Sequence, residues 1–398
     1  MRIGIDARFF GPRGKGLGRY TQKLIESLQE IDNQNDYVIF LRRENFNEFQ
    51  PQNPRFKKVL ADYRWYSVAE QIFLPFVIYR QKIDLMHFPH FNVPVLYFKP
   101  FVVTIHDLIL RHFATRRAST LGSVKYWFKN LAYRAVFRLA ISRAKKIITV
   151  SQYVRNDIIK CFKIKPEKIV MTHEGVPQKN SKFKKATPPL FPSAKAYQNS
   201  KVILEKYGIN KLYLLYVGNA YPHKNLERLL GAFKILVEDF KKDIQLVLAG
   251  EEDYFYRRLE SCNILILRSM GILHGEQYGR VIFTGFVPDE ELAGFYKNAS
   301  AYVFPSLCEG FGLPSLEAMS QGVPVVSSGA TCLPEILGEA AVYFDPLNPR
   351  DMAEKINQVL ADENLRRGLI SKGFEQIKKY SWRKMGEETL NIYSNVNI

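Results

Sequence analysis

Short apolar runs alternate with longer amphipathic stretches along almost the whole chain. In the first half the strand-like runs are RIGIDA (2–7), DYVIFL (36–41), DLMHF (84–88), FVVTIHD (101–107), KIITVS (146–151) and KIVMTHEGV (168–176). Helical patterns such as GRYTQKLIESLQEI (18–31) and the long segment 119–144 lie between them. The second half repeats the rhythm with LYLLYVGN, IQLVLAG, VIFTGF, AYVFPS, VPVVSS and AAVYFD, separated by stretches such as NLERLLGAFKILVEDF. Runs apolar at every position, rather than at alternate ones, suit strands covered on both faces. The pattern therefore predicts α/β architecture with parallel sheets between helices.

The polar stretch QKNSKFKKATPPLFPSAKAYQNS (178–200) has no usable period and reads as a linker. A chain of 398 residues suits two domains. The expectation is two Rossmann-like, doubly wound domains facing each other across a cleft, with ligands at the carboxyl ends of the strands. Their bounds are 1–178, a linker at 179–200, and 201–380. No apolar run reaches eighteen residues and the amino terminus reads as a buried strand, so a cytoplasmic protein is expected. The cysteines, Cys161, Cys262, Cys308 and Cys332, form no CxxC pair, which points to reduced thiols and away from a zinc site.

Charge changes this picture. The formal net charge is +18, yet residues 1–190 hold 34 Lys and Arg against 14 Asp and Glu, while the remainder is close to neutral. The excess positive charge sits in the amino-terminal half, which should meet something anionic: a phosphorylated substrate, a membrane surface or nucleic acid.

Three strand–loop–helix junctions carry candidate chemistry. In CEGFGLPSLEAMSQGVPVV, Pro314 suits the first turn of a helix, which places Glu309 in the loop and Glu317 in the first turn. Gly310 and Gly312 leave backbone N–H groups beside a helix amino terminus, a natural site for a diphosphate. A carboxylate there would repel phosphate, so Glu317 either accepts two hydroxyls of a ribose or simply answers the helix dipole. In YVGNAYPHKNLERLL, Lys224 precedes a helix starting near Asn225 and is placed to neutralise a phosphate leaving group. The third loop, GPRGKGLGRY, alternates Gly14, Gly16 and Gly18 with Arg13, Lys15 and Arg19. It lacks the acidic partner of a nicotinamide site and is not a GxxxxGK[ST] loop. In TIHDL, His106 ends a strand, where it either contacts a sugar hydroxyl or is structural.

These pieces, in this order, resemble the group 1, family 4 glycosyltransferases, retaining enzymes of GT-B fold. The most specific match is AYVFPSLCEGFGLPSLEAMSQGVPVVSS, with Glu309 and Glu317 at the E-x7-E spacing of that family. VSQYVRNDI, the THEGV strand end, LVLAGEE and VIFTGFVPDEEL add weaker support. The resemblance implies an acceptor-binding first domain and a nucleotide-sugar-binding second domain. It gives Glu309 a place near the transferred sugar's hydroxyls, and the Phe311, Gly312 and Leu313 backbone one beside sugar and phosphate. Glu317 would hold the ribose, Lys224 the diphosphate, and Gly14, Lys15 and Gly16 would close over it; His106 would touch the donor sugar. Gly218 and Asn219 would border the donor, Phe286 and Val287 would flank the base, and a helix over 381–398 would pack back on the first domain. Asn219 stands where many relatives carry an arginine.

The chain contains no DxD, so no metal clamp for the diphosphate is expected, and fixed cations with backbone dipoles take its place. No cofactor is expected beyond the GDP- or UDP-linked sugar substrate. By resemblance, transfer of a mannose- or glucose-type hexose to a glycan or lipid-linked acceptor, with retention and front-face attack, follows. The aromatic and basic segment KYWFKNLAYRAVFR (125–138) reads as an amphipathic helix that could rest on an anionic membrane, at the inner face, beside a lipid-linked acceptor. The rival readings are nucleic-acid binding through that segment, against which no nucleic-acid motif appears, and a GT-B epimerase or phosphorylase.

Overall fold

A computed structural model describes residues 1–11, 14–113, 123–176, 202–269 and 280–396. The linker expected over 179–200 lies outside the described residues, as does Arg13. The chain forms two compact units, Met1–Gly175 with Tyr380–Ile398, and Val176–Lys379.

The first unit is built on seven parallel strands: β1 (Arg2–Asp6), β2 (Asp36–Leu41), β3 (Phe56–Leu60), β4 (Leu85–Phe88), β5 (Phe101–Ile105), β6 (Lys146–Thr149) and β7 (Ile169–Met171). Their order is β3-β2-β1-β4-β5-β6-β7. The central strands bury every residue from Ile3 to Asp6 and from Phe101 to Ile105, as uninterrupted apolar runs require. β3 does not emerge from the hydrophobic pattern. It pairs only with β2, at the sheet edge, and carries Lys57 and Lys58; the Lys58 ammonium turns back to the carbonyls of Phe46 and Phe49.

Among the described residues the helices of this unit are α1 (Lys15–Ile31), α2 (Val68–Arg80), α3 (Ile109–His112), α4 (Ser123–Arg143) and α5 (Gln152–Phe162). The last helix of the chain, Trp382–Ser394, also belongs to it. Ser381 caps that helix, Ser27 of α1 donates to the Trp382 carbonyl at 3.0 Å, and Tyr393 meets His87 of β4 at 2.5 Å. Gly386 allows the close approach, since a Cβ there would come within 2.7 Å of Ser27.

The second unit has six parallel strands: β8 (Tyr213–Val217), β9 (Gln245–Ala249), β10 (Val281–Gly285), β11 (Ala301–Phe304), β12 (Val325–Ser328) and β13 (Ala341–Phe344). Their order is β10-β9-β8-β11-β12-β13. The helices following 201 that bear on function are α6 (Leu226–Glu238), α7 (Tyr254–Ser269), α8 (Asp289–Asn298) and α9 (Leu313–Ser320). In each sheet the strand order reverses once, between β1 and β4 and between β8 and β11. Ligands of doubly wound sheets sit at such reversals, at the carboxyl ends of the strands.

Candidate active site

In the second unit the reversal brings together the loops after β8 and β11. Gly218 follows β8 with φ +153°; its N–H donates to the Ala249 carbonyl and its own carbonyl accepts from the Tyr256 hydroxyl at 2.8 Å. The chain then makes a tight turn over Pro222–Lys224, and Asn225, at φ +63°, starts α6. Asn tolerates this left-handed conformation better than most residues. The Asn225 side-chain amide donates to the carbonyls of Pro305, at 3.0 Å, and Pro346, at 2.7 Å. The Leu307 N–H donates to the His223 carbonyl at 2.7 Å.

These ties fix the two loops against each other. Lys224 Nζ lies 2.6 Å from Glu309 Oε1, with side chains only 15% and 10% exposed. Glu309 is held from behind: its N–H donates to Thr331 Oγ1 at 3.2 Å and its carbonyl accepts from the Cys332 thiol at 3.3 Å. His223, next to Lys224, has its pKa brought down to about 4 by burial and by the Lys224 charge, only partly offset by Glu309.

Gly312 adopts φ +92°, and a Cβ there would come within 2.8 Å of Leu333 Cδ2. A left-handed glycine therefore turns the chain into α9, which begins at Leu313, ahead of Pro314. Glu317 consequently falls in the second turn and not in the first, as the sequence pattern suggests. A dipole effect confined to the first turn does not account for it. Its carboxylate accepts from the Tyr296 hydroxyl at 3.4 Å.

Phe311 and Leu313 are buried, Phe286 is 68% exposed immediately after β10, and Val287 is buried. Asn219 accepts from the Tyr221 N–H through Oδ1, so its amide serves its own loop.

In the first unit the loop after β1 distinguishes its glycines. A Cβ on Gly14 would stand 2.0 Å from the Phe9 carbonyl oxygen, and one on Gly18 would stand 2.2 Å from that of Gly11. Gly16 meets nothing within 4 Å and is exposed, as is Lys15 beside it. Backbone packing explains the first two glycines; it does not explain Gly16.

His106 follows β5 with both ring nitrogens engaged. Nε2 lies 2.9 Å from the Pro89 carbonyl and Nδ1 lies 3.0 Å from Glu174 Oε1. Because a carbonyl only accepts, Nε2 is the donor there. Tyr20 packs edge-on at 4.6 Å.

Within one unit, then, the structure gathers Lys224, Glu309, Gly312 and Glu317 around the carboxyl ends of β8 and β11. In the other, Gly14 to Gly16 and His106 follow β1 and β5. Sequence reasoning singled out neither Asn225, Thr331 and Cys332 nor Glu174. The signals for two of them stood in the motifs themselves, PHKN and THEGV.

Among the described residues, one group has metal-ligand character: His112, Asp157 and Cys161 hold donor atoms within 4.8 Å of one another. His112 Nε2 already meets Asp157 Oδ2 at 2.6 Å, and burial with the Asp157 contacts raises the Cys161 pKa, which disfavours the thiolate a metal needs.

With this geometry in place, likeness to known proteins adds a second line. The family model for glycosyl transferases group 1 matches residues 199–376, and that for Glycosyltransferase Family 4 matches residues 14–179. The chain is 32% identical over 314 residues to the O-antigen chain mannosyltransferase B of Escherichia coli, covering 78% of this chain and 74% of that protein. It is 23% identical to the O-antigen chain mannosyltransferase RfbU of Salmonella typhimurium, over 89% and 90% of the two chains. Its fold resembles that of the sucrose-phosphate synthase from Thermosynechococcus elongatus, with TM-score 0.73, 20% identity, and 99% and 98% coverage.

Proposed function

The chain belongs to the group 1 glycosyltransferases, and from that premise we propose that it moves a mannosyl group from a nucleoside diphosphate sugar, with retention and without a metal ion. The acceptor on this reading is a glycan or a lipid-linked glycan in polysaccharide synthesis. The preference for mannose rests on the two O-antigen relatives, both mannosyltransferases. GDP- and UDP-linked donors both fit the chemistry.

The observation that carries the reading is the Lys224–Glu309 pair at the carboxyl ends of β8 and β11. A donor sugar diphosphate presents hydroxyls at one end and concentrated negative charge at the other. Glu309 supplies an acceptor for sugar hydroxyls, and Lys224 supplies the cation that stabilises the departing phosphate. Before the donor arrives the two neutralise each other, which keeps both charges tolerable in a largely buried place. Glu317 accepts from the ribose diol, and the absence of a DxD from the sequence supports charge compensation by fixed cations.

In the reaction the bond from sugar C1 to the β-phosphate oxygen breaks, and a bond from C1 to the acceptor oxygen forms on the same face. The acceptor hydroxyl proton passes to the leaving diphosphate.

The test is thermal stabilisation by UDP, GDP, ADP and their sugars, with and without chelator, on the wild type and Glu317→Ala. A shift of several degrees for one base, indifferent to chelator and lost in the variant, is expected. Absence of any shift overturns the donor assignment, and an inverted anomeric product by NMR overturns retention.

A further inference from the structure

Helix α2 is apolar on two faces. Its buried face carries Leu74, Pro75 and Ile78 together with Glu70, which is fully buried and bonded to Arg8 Nη2 at 2.6 Å, to the Asn92 amide at 2.7 Å and to the Tyr66 N–H at 2.7 Å. Its outward face carries Val68, Ile72 and Phe76 at a spacing of four, with Phe73 beside them. Val68 is 75% exposed, Phe73 51% and Phe76 57%. An amphipathic helix of a water-soluble surface places its apolar stripe inward. Here Leu74 and Ile78 fill the inner side beside the Glu70 ion pair, and a second apolar stripe, with Phe73 and Phe76 in it, faces out.

The stripe continues beyond the helix. Tyr79 donates to the Leu96 carbonyl at 3.0 Å and accepts from the Phe98 N–H at 2.8 Å, which brings Phe98, 73% exposed, to the end of α2. Arg143, at the end of α4, lies over the Phe98 ring at 4.7 Å, and Lys129, near its start, lies over Tyr66 at 5.9 Å. α4 therefore runs alongside, and it too leaves Trp127, Leu131 and Leu139 exposed. The sequence expectation of an apolar face gathered on one side of α4 does not hold, because these residues face outward while Phe137, Ala140 and Ile141 are buried.

Charge selects the occupant. Residues 63–143 contain 12 Lys and Arg against three Asp and Glu, and one of those three, Glu70, is buried. α4 has five cations and no carboxylate. Exposed aromatic rings rimmed by cations match the boundary of a bilayer bearing anionic headgroups, where rings enter the acyl boundary and cations meet phosphate. We propose that α2, the Phe98 loop and α4 form a docking face for an anionic membrane, with Phe73, Phe76 and Phe98 as the inserting side chains. The proposal concerns the first unit alone and does not depend on the donor or on the transfer chemistry.

The test is co-sedimentation of the full chain with vesicles of phosphatidylcholine alone, and with phosphatidylglycerol at about one lipid in three. Binding to the anionic vesicles, weakened by salt, is expected, with little binding to the neutral ones. Replacing Phe73, Phe76 and Phe98 together by Ser should lower the partition coefficient about a hundredfold at an unchanged melting temperature. Indifference of the wild type to anionic vesicles overturns the proposal, as does equal binding by the triple variant. A wild-type dimer that the triple variant dissociates overturns it in favour of a second copy as occupant. Should the triple variant not fold, Phe76→Trp decides: its added emission should shift to the blue on anionic vesicles, and an unchanged spectrum overturns insertion.

Discussion

Lys224 Nζ and Glu309 Oε1 stand 2.6 Å apart across 85 residues of sequence, each at the end of a neighbouring strand of one sheet. Their separation is imposed from outside the pair by Asn225, which bonds the Pro305 and Pro346 carbonyls, and by the Leu307 N–H to the His223 carbonyl. Substituting one partner leaves the other charge uncompensated in a largely buried place, so the two substitutions should not be additive. Glu309→Gln is expected to lower kcat by about a hundredfold to a thousandfold with nucleoside diphosphate affinity nearly intact. Lys224→Ala should weaken nucleoside diphosphate binding about tenfold or more. Titration calorimetry with the nucleoside diphosphate, beside steady-state kinetics, separates the two; equal loss of affinity in both variants would deny the division of labour.

Glu317 should report on ribose. Its place in the second turn of α9 removes the helix dipole as its reason. A carboxylate accepting two hydroxyls discriminates strongly against a ligand that lacks one. The wild type should bind the nucleoside diphosphate about tenfold more tightly than its 2′-deoxy form. Glu317→Gln should bring the two close together. Equal affinities in the wild type would place the ribose elsewhere.

Much of this arrangement was legible in the chain, and what was not has identifiable causes. Continuous apolar runs mark twelve of the thirteen strands among the described residues, because strands covered on both faces leave little room for polar residues. β3 is hidden because an edge strand buries only part of its surface and admits Lys57 and Lys58. α2 is equally hidden, since its outward face is apolar and Pro75 lies inside it. The E-x7-E loop located Glu309 and Glu317, but only the left-handed Gly312 sets where α9 begins. Partners such as Glu174 for His106, 68 residues away, depend on strand order, which a hydrophobic pattern does not encode.

Gly14 and Gly16 should part company on substitution. An alanine methyl at Gly14 collides with the Phe9 carbonyl oxygen at 2.0 Å, so Gly14→Ala is expected to destabilise by about 2 kcal/mol or more. Gly16 has open space within α1, where alanine is the better helix former, so Gly16→Ala should leave stability unchanged or raise it by up to about 1 kcal/mol. Chemical denaturation of both variants decides it; an equal loss of stability in the two would contradict the difference in packing between Gly14 and Gly16.

Three histidines whose rings are cut off from water, His87 and His90 in the first unit and His223 in the second, should set the acid limb of stability. His87 is wholly enclosed, with Tyr393 and Thr104 on its ring nitrogens, and burial with the neighbouring His106 brings its pKa down to about 3. Burial, with the His106 and Arg8 charges, brings His90 down to about 3 as well, and for His223 the value is about 4. In the unfolded chain all three return to about 6.5. Between about 6.5 and the folded value the unfolded chain binds the extra proton, so folding stability rises with pH across that window and is lost as pH falls through it. The slope is about 1.4 kcal/mol per pH unit for each histidine while it is inside its window. Moving from about pH 7 to about pH 5 should therefore take about 2 kcal/mol from the second unit and about 4 kcal/mol from the first. Urea midpoints at the two pH values measure the loss, and His223→Gln should abolish its share in the second unit while leaving that of the first. Midpoints that do not move between the two pH values would mean that these rings accept a proton in place, against the enclosure seen around His87.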